Sequence, residues 1–244
     1  MFTAANLTIE SRAQIALYAE QAFPKEACGF VVRTPEGAEL VLLEQNVHPT
    51  PQEDFRMRAS AMPEAEKQGT ILCVWHTHPN ASAEPSPADK TVCERTDLPW
   101  IIFAYPRKSW GACSPCGFQQ PLLGRQFVHG VSDCYSLLRD YYKEKQIVDL
   151  PDFPREDRWW EVPGAESLYV KNFAACGFRR VGDNLKTHDA LLFSIRASCS
   201  NHGAVYEGEG VIIHHLYGRL SERTVYGSYW QKLTTYHLRH ESLC

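Results

Sequence analysis

The sequence lacks most of the features that would place a chain in a specialised class. No apolar stretch approaches the ~20 residues that a bilayer-spanning helix requires, which excludes a spanning helix. There is no internal repeat and no low-complexity tract, so solenoids and fibrous arrays are excluded as well. Neither sign of charge forms a block: 25 Lys+Arg against 29 Asp+Glu leave a formal net charge of -4, and nucleic acid is not an expected partner. The N-terminus carries no basic segment followed by an apolar run, so synthesis and folding in the cytosol are expected. What is present is an ordinary globular composition, 44% hydrophobic and 22% charged, far from that of a disordered chain. A length of 244 residues accommodates one large domain or two of roughly 120, either with a real core. The nine cysteines are scattered and odd in number, unlike a secreted disulfide framework, so thiols are expected, one or more of them in chemical use.

Punctuation divides the chain. Ser11 to Phe23 has alanines, Leu17 and Phe23 at helical spacing, a capping box is available from Ser11 and Gln14, and Pro24 ends the helix. Cys28 to Val32 and Glu39 to Leu43 are expected strands around a Pro35-Glu36-Gly37 turn, and Thr70 to Trp75 is an apolar run suited to a buried strand. Ser86-Pro87-Ala88-Asp89 predicts a helix start: a cap, a first-turn proline and an acid three residues on. Trp100 to Tyr105 is the last strand expected before residues 106 to about 126, where prolines, glycines and a Cys-Ser-Pro-Cys without periodicity mark a boundary. Helical spacing restarts at Ser132 to Tyr142, with Leu137, Leu138, Tyr141 and Tyr142 on one side. Ala190 to Ile195, His202 to Tyr206 and Val211 to His215 are expected strands, the last two joined by a Glu207-Gly208-Glu209-Gly210 hairpin turn.

The first chemical constellation lies in the first half. His76-Thr77-His78 closes a strand, and the two-residue period puts both imidazoles on one face. Asp89, in the first turn of the following helix, adds a carboxylate if the chain turns back, and three protein ligands leave a fourth tetrahedral position for water, as in catalytic zinc sites. Taken singly, a His-x-His is more often an ordinary polar pair, Ser86 a helix cap and Asp89 a first-turn acid. Their joint occurrence, in order and with Gly29 and Pro79 in place, carries the metal reading. Glu26-Ala27-Cys28-Gly29-Phe30, His76-Thr77-His78-Pro79, Ser86 and Asp89 resemble the JAMM motif of MPN-type metallopeptidases. The resemblance implies Zn2+ on His76, His78 and Asp89. It implies Glu26 as the base that takes a proton from water and passes it to the leaving amine, and Ser86 as the donor to the oxyanion. Cys28, Cys73 and Cys93 sit in apolar or helical contexts and are expected to be packing residues.

The second constellation is a thiol. Cys134 falls in the first turn of a helix capped by Ser132 or Asp133, where the positive end of the helix dipole favours a thiolate. The histidine it needs is placed at His202, far along the chain, as cysteine hydrolases allow. Asp133-Cys134 and the strand His202 to Tyr206 resemble the NlpC/P60 peptidases, papain-like enzymes that commonly cleave the D-glutamyl to diaminopimelate bond of cell-wall peptides. The resemblance makes His214 the orienting third residue, whereas a two-residue loop at Gly208-Glu209 would set His215 opposite His202. Cys113-Ser114-Pro115-Cys116, a single pair, reads as a loop with two free thiols.

The order of the two halves, with the tail His214-His215-Leu216-Tyr217-Gly218-Arg219-Leu220-Ser221 and Tyr226-Gly227-Ser228-Tyr229-Trp230, resembles the tail tip assembly proteins of lambda-like long-tailed phages. What this implies is an α+β chain of two mixed domains. An MPN (JAMM-like) domain over 1–115 is followed by a papain-like NlpC/P60 domain over 116–244. The implied activity is a zinc metallopeptidase acting on amides or isopeptides, joined to a thiol endopeptidase. The implied partners are other tail tip proteins, with peptidoglycan peptides or a tail protein as substrate. The implied location is the host cytoplasm during assembly, or the tail tip of the virion. The alternative is a non-catalytic assembly scaffold with vestigial sites.

Overall fold

Five of the six residues of Cys28–Arg33 are buried, so this strand needs neighbours on both edges and cover on both faces. The computed structural model, which describes residues 2–244, supplies both. The chain divides into two compact units with the division between Gln119 and Gln120, and both units mix helix with sheet.

The first unit contains α1 (Ile9–Ala22), β1 (Cys28–Arg33), β2 (Glu39–Glu44), α2 (Ala61–Glu66), β3 (Thr70–Pro79), α3 (Pro87–Thr96), β4 (Trp100–Tyr105) and β5 (Ser109–Cys113). Its sheet runs β2-β1-β3-β4-β5, antiparallel except for the parallel pair β3 and β4. α1 covers one face, where Ile15 and Ala19 pack with Val31, Trp75, Ile101 and Phe103. On the other face Ala61 and Ala65 of α2 and Cys93 of α3 pack against Phe30, Val74 and Trp100. Such a two-faced core is why β1, β3 and β4 read as continuous apolar runs.

Two of the differences from the sequence expectation have a direct packing reason. α1 starts at Ile9 with Thr8 as cap, its hydroxyl accepting from the Ser11 amide at 3.1 Å. Ser11, expected to cap, is instead buried in the first turns and donates to Glu39 Oε2 at 2.8 Å. β5 forms within the stretch expected to be irregular. Its sequence does not alternate, and Gly111 interrupts it because a Cβ there would run into the Ala83 carbonyl.

The second unit contains α4 (Cys134–Glu144), α5 (Leu168–Asn172), β6 (Phe178–Arg180), β7 (Ala190–Phe193), β8 (His202–Gly208), β9 (Val211–His214), β10 (Glu222–Val225), α6 (Ser228–Leu233) and β11 (Thr234–His240). Its antiparallel sheet runs β10-β9-β8-β7-β11-β6. α4 buries Leu137, Leu138, Tyr141 and Tyr142 on the face formed by Leu192, Val205, Ile213 and Leu238. The opposite face packs Phe193, Ala204 and Ile212 under Trp230 of α6. A buried ion pair, Arg239 to Asp189 with both contacts at 2.7 Å, ties β11 to the entry of β7. Among the described residues, no helix is long and apolar enough to cross a membrane.

Gly29 has a specific packing reason. A Cβ at this position would run into the Leu42 carbonyl and lie 3.1 Å from the Trp75 indole nitrogen, which itself donates to the carbonyls of Phe30 and Leu42. Gly29→Ala is therefore expected to lower stability by about 1–3 kcal/mol, the usual cost of overpacking a tight core, read as a lower urea midpoint at unchanged slope.

Candidate functional sites

In the first unit three side chains from two elements converge. β3 extends through Pro79, and its two-residue period directs His76 and His78 to the same side. α3 begins where the sequence predicts. Ser86 Oγ accepts from the Asp89 amide at 3.1 Å, and the Asp89 carboxylate accepts from the Ser86 amide at 2.7 Å. The box turns Asp89 back toward the strand, with Oδ1 3.3 Å from His76 Nε2 and Oδ2 3.5 Å from His78 Nε2.

The two Nε2 atoms lie 3.0 Å apart. His78 Nδ1 is 2.7 Å from the Ser82 carbonyl, which can only accept, so Nδ1 carries a proton and Nε2 is the nitrogen that faces Asp89, donating to it while the ring is charged and open to an ion when the ring is neutral. Two ring nitrogens and a carboxylate oxygen aimed at one point repel unless a proton or a cation lies between them. All ligand atoms fall within 4.8 Å of one another, and the group could hold a metal ion. A mixed imidazole and carboxylate donor set suits zinc. His76 Nδ1 is buried without a hydrogen-bond partner; its ring is oriented by packing, stacked on Phe55 at 4.6 Å and edge-on to Trp100 at 5.5 Å.

Electrostatics follow the same geometry. Burial alone would raise the Asp89 pKa, but the His76 charge and hydrogen bonds from His76, His78 and Ser86 together outweigh it and hold the carboxyl well below the usual range. Glu26 is buried just before β1, and burial pushes its pKa up to about 8, the charges of Asp54 and Asp89 adding to the rise and His78 opposing it. In the metal-free protein that proton stabilises the fold below pH 4.5, and the stabilisation is lost as pH rises through about 8. Thr77, between the two histidines, faces the other way and grips the backbone between Glu26 and β1. Its hydroxyl accepts from the Ala27 amide at 2.8 Å, and its own amide donates to the Ala27 carbonyl at 2.9 Å.

In the second unit Asp133 caps α4, accepting from the Ser136 amide at 2.9 Å. Arg155 holds the same carboxylate through Nε at 2.6 Å and Nη2 at 3.0 Å. Cys134 is the first helical residue, and its sulfur lies 3.0 Å from the Tyr169 hydroxyl. The sequence expectation of a depressed thiol pKa is corrected here. Burial first and the neighbouring Asp133 charge second push it up to about 11, against smaller opposing effects of the Tyr169 hydroxyl, the Gly203 amide and Arg155. An acid used as the cap cancels the help that the helix end would give a thiolate.

His202 lines the same cavity of about 500 Å³ as Cys134 and Tyr169, together with Trp160, Arg158 and Arg196. Its pKa is pushed well below the ordinary value by burial and by the adjacent His214 and His215. Its Nε2 is 3.2 Å from His214 Nδ1. His215 instead bonds the Arg219 carbonyl at 3.1 Å and packs edge-on to Phe127.

Residues 9–112 match the family of prokaryotic homologs of the JAB domain, and residues 124–239 match the NlpC/P60 family. The tail tip assembly protein K of Escherichia phage N15 is 32% identical over 229 residues, covering 94% of this chain and 93% of the phage protein. The chain belongs to the tail tip assembly protein K family. Its counterpart from Escherichia phage lambda is 37% identical over 180 residues, 73% of this chain and 86% of that protein. Among solved structures, an NlpC/P60 family protein from Bacillus cereus aligns with 93% of this chain and 66% of its own, at 11% identity and a TM-score of 0.33.

Sequence reasoning missed several residues of this K-family chain that stand at the two sites. Tyr169 comes from a five-residue helix 35 residues beyond Cys134, capped by Ser167, whose hydroxyl also donates to the Ser200 carbonyl at 2.6 Å. Gly203 makes room for it, since a Cβ there would lie 3.2 Å from the Tyr169 ring. Only the Ser167 cap was locally readable. Arg155, Phe55 and Asp54 lie in irregular segments where no periodicity marks them. Tyr169→Phe removes a hydrogen bond that favours the thiolate. Alkylation of Cys134 by iodoacetamide, followed on its tryptic peptide, is expected to rise with pH toward about 11 in the parent. In the variant it should be roughly tenfold slower at pH 8, the effect of ~1.5 kcal/mol; equal rates would show that the hydroxyl does not touch the sulfur.

Proposed function

We propose that this chain serves phage tail tip assembly with two peptidase modules: a zinc-dependent amide or isopeptide hydrolase, and a thiol endopeptidase acting on peptidoglycan peptides. The observation that supports this most is that both side-chain sets come together, His76, His78 and Asp89 on one point and Cys134 and His202 in one cavity, with the Glu26 pKa raised toward the neutral range in which a general base works. The family membership supports a setting among other tail tip proteins in the host cytoplasm during assembly.

In the first module His76, His78 and Asp89 would hold zinc, which when bound supplies a Lewis acid that polarises a carbonyl and acidifies water. Glu26, whose pKa burial raises toward the neutral range, would in its ionised form accept a proton from the attacking water and deliver it to the leaving amine nitrogen. Ser86 uses a lone pair to cap α3, which leaves its O–H free to donate to the carbonyl oxygen as charge develops there.

In the second module the resting pair is neutral, because the thiol titrates near 11 and His202 well below its ordinary value. Proton transfer therefore accompanies attack. His202 Nε2 is engaged with His214, so Nδ1 takes the proton as the sulfur bonds to the carbonyl carbon, and then returns it to the leaving nitrogen. The Tyr169 hydroxyl, beside the sulfur, donates to the carbonyl oxygen. Water then hydrolyses the thioester, with His202 as the base.

Metal analysis of the purified protein is expected to show about one zinc per chain, lost in His76→Ala and in Asp89→Ala. A parent that binds none removes the metallopeptidase assignment. Release of muropeptides from purified cell walls is expected to vanish in Cys134→Ala and to survive Glu26→Gln. If Cys134→Ala and Glu26→Gln both assemble infectious tails as well as the parent, the chain works as a scaffold.

A further inference from the structure

The segment between β2 and α2 wraps around Glu26, and one side chain staples it. Asn46 Nδ2 donates to the Glu26 carbonyl at 3.0 Å and to the Asp54 carbonyl at 3.1 Å, while Oδ1 accepts from the amides of His48 at 3.0 Å and Arg56 at 3.1 Å. A carboxamide has two donor hydrogens and two acceptor lone pairs, so every one is used. The Glu26 amide donates to the Pro51 carbonyl at 2.7 Å, so both backbone polar groups of Glu26 are held by this one segment. The Val47 amide closes its base on the Arg56 carbonyl at 2.8 Å. The same segment lays Phe55 on the His76 ring at 4.6 Å and carries Asp54, whose charge acts on Glu26.

Two functional groups thus depend on one amide. The donor half of Asn46 holds the backbone of the acid placed to move a proton, and the acceptor half holds the loop that seats the aromatic cover of a candidate ligand. Strands β1 and β3 would pair without it, because their register is fixed by their own ladder and by Thr77. We propose that Asn46 is a positioning residue that sets the Glu26 carboxyl against the two imidazoles and keeps Phe55 on His76. The proposal rests on reading this unit as a metal-assisted amide hydrolase.

Asn46→Asp and Asn46→Ala in the full chain separate the two halves. Aspartate keeps the acceptor oxygens and loses the donor hydrogens; alanine loses both. Amide exchange at His48 and Arg56 is expected to stay slow in Asn46→Asp and become fast in Asn46→Ala, and exchange at Glu26, whose amide donates to Pro51 of the same loop, to follow the same pattern. With a peptide that the parent cleaves, kcat should fall at least tenfold in both variants, with KM within about twofold and zinc stoichiometry unchanged. A parent-like kcat in Asn46→Asp, or parent-like exchange at His48, Arg56 and Glu26 in Asn46→Ala, would overturn the proposal. Loss of zinc, or of cooperative unfolding, together with activity in Asn46→Ala would overturn it too, since Asn46 would then be holding the fold. Failure of the hydrolase reading appears separately, as a parent without zinc or cleavage, and the exchange measurements still decide whether Asn46 holds Glu26.

Discussion

A buried carboxylate that caps its own helix is the constraint on which both sites rest. An N-cap or capping box contributes about 1 kcal/mol, but its larger effect here is to fix where a charge sits. Asp89 can face two imidazoles because its second oxygen is tied to the Ser86 amide, so the carboxylate is held in place as part of the first turn of α3. Asp133 does the same at α4, with Arg155 completing its hydrogen bonds, as a buried charge requires if it is not to be strongly destabilising. The two caps have opposite electrostatic consequences. Asp89 gathers positive character at its site, where its carboxylate and the two imidazoles could share a cation. Asp133 lays negative charge beside the sulfur, so the thiol keeps its proton until a base removes it.

Proton location at rest follows from burial and these caps. Glu26 is buried next to two other acids and holds a proton to about pH 8. Cys134 and His202 are both neutral, each for the same reason: low polarity around a group that would otherwise charge. Aromatic residues supply part of that low polarity. Phe55 and Trp100 flank His76, and Trp230 packs at 4.6 Å on His214.

Local signals were legible in the sequence and long-range ones were not. His76 and His78 share a face because a strand has a two-residue period, and Ser86 with Asp89 marks its helix because a capping box spans four residues. Both can be read without knowing the fold. The same holds for α4, whose buried Leu137, Leu138, Tyr141 and Tyr142 repeat at helical spacing. Tyr169, Arg155 and Asn46 reach their partners from irregular or very short segments, where the interaction exists only after the chain has closed a loop of 20 or more residues. The edge elements β5, β6 and β10 have three to five residues each, too few for alternation to declare itself. The direction of the Cys134 pKa shift was misjudged because the helix-end effect is local and readable, whereas the burial that outweighs it is a property of the finished cavity.

The hairpin between β8 and β9 shows how narrowly the second site is set. Glu209 and Gly210 both have positive φ, 51° and 74°, and form a two-residue turn closed by Gly208 opposite Val211. Carried on without interruption, that pairing would set Ala204 opposite His215, and His215 would share the face of His202, as it also would with a turn one residue earlier. A bulge between Tyr206 and Gly208 takes up one residue, so Ala204 pairs with His214 instead. Directly opposed residues share a face, and His202, two positions from Ala204, lies on it too. The contact of 3.2 Å between His202 and His214 is therefore a consequence of that bulge. Its signal is the glycine at 208, with φ of 95°, where a side chain would be strained and would also press on the Thr187 hydroxyl at 2.9 Å. Neither histidine selects its own neighbour; the backbone irregularity between Tyr206 and Gly208 does.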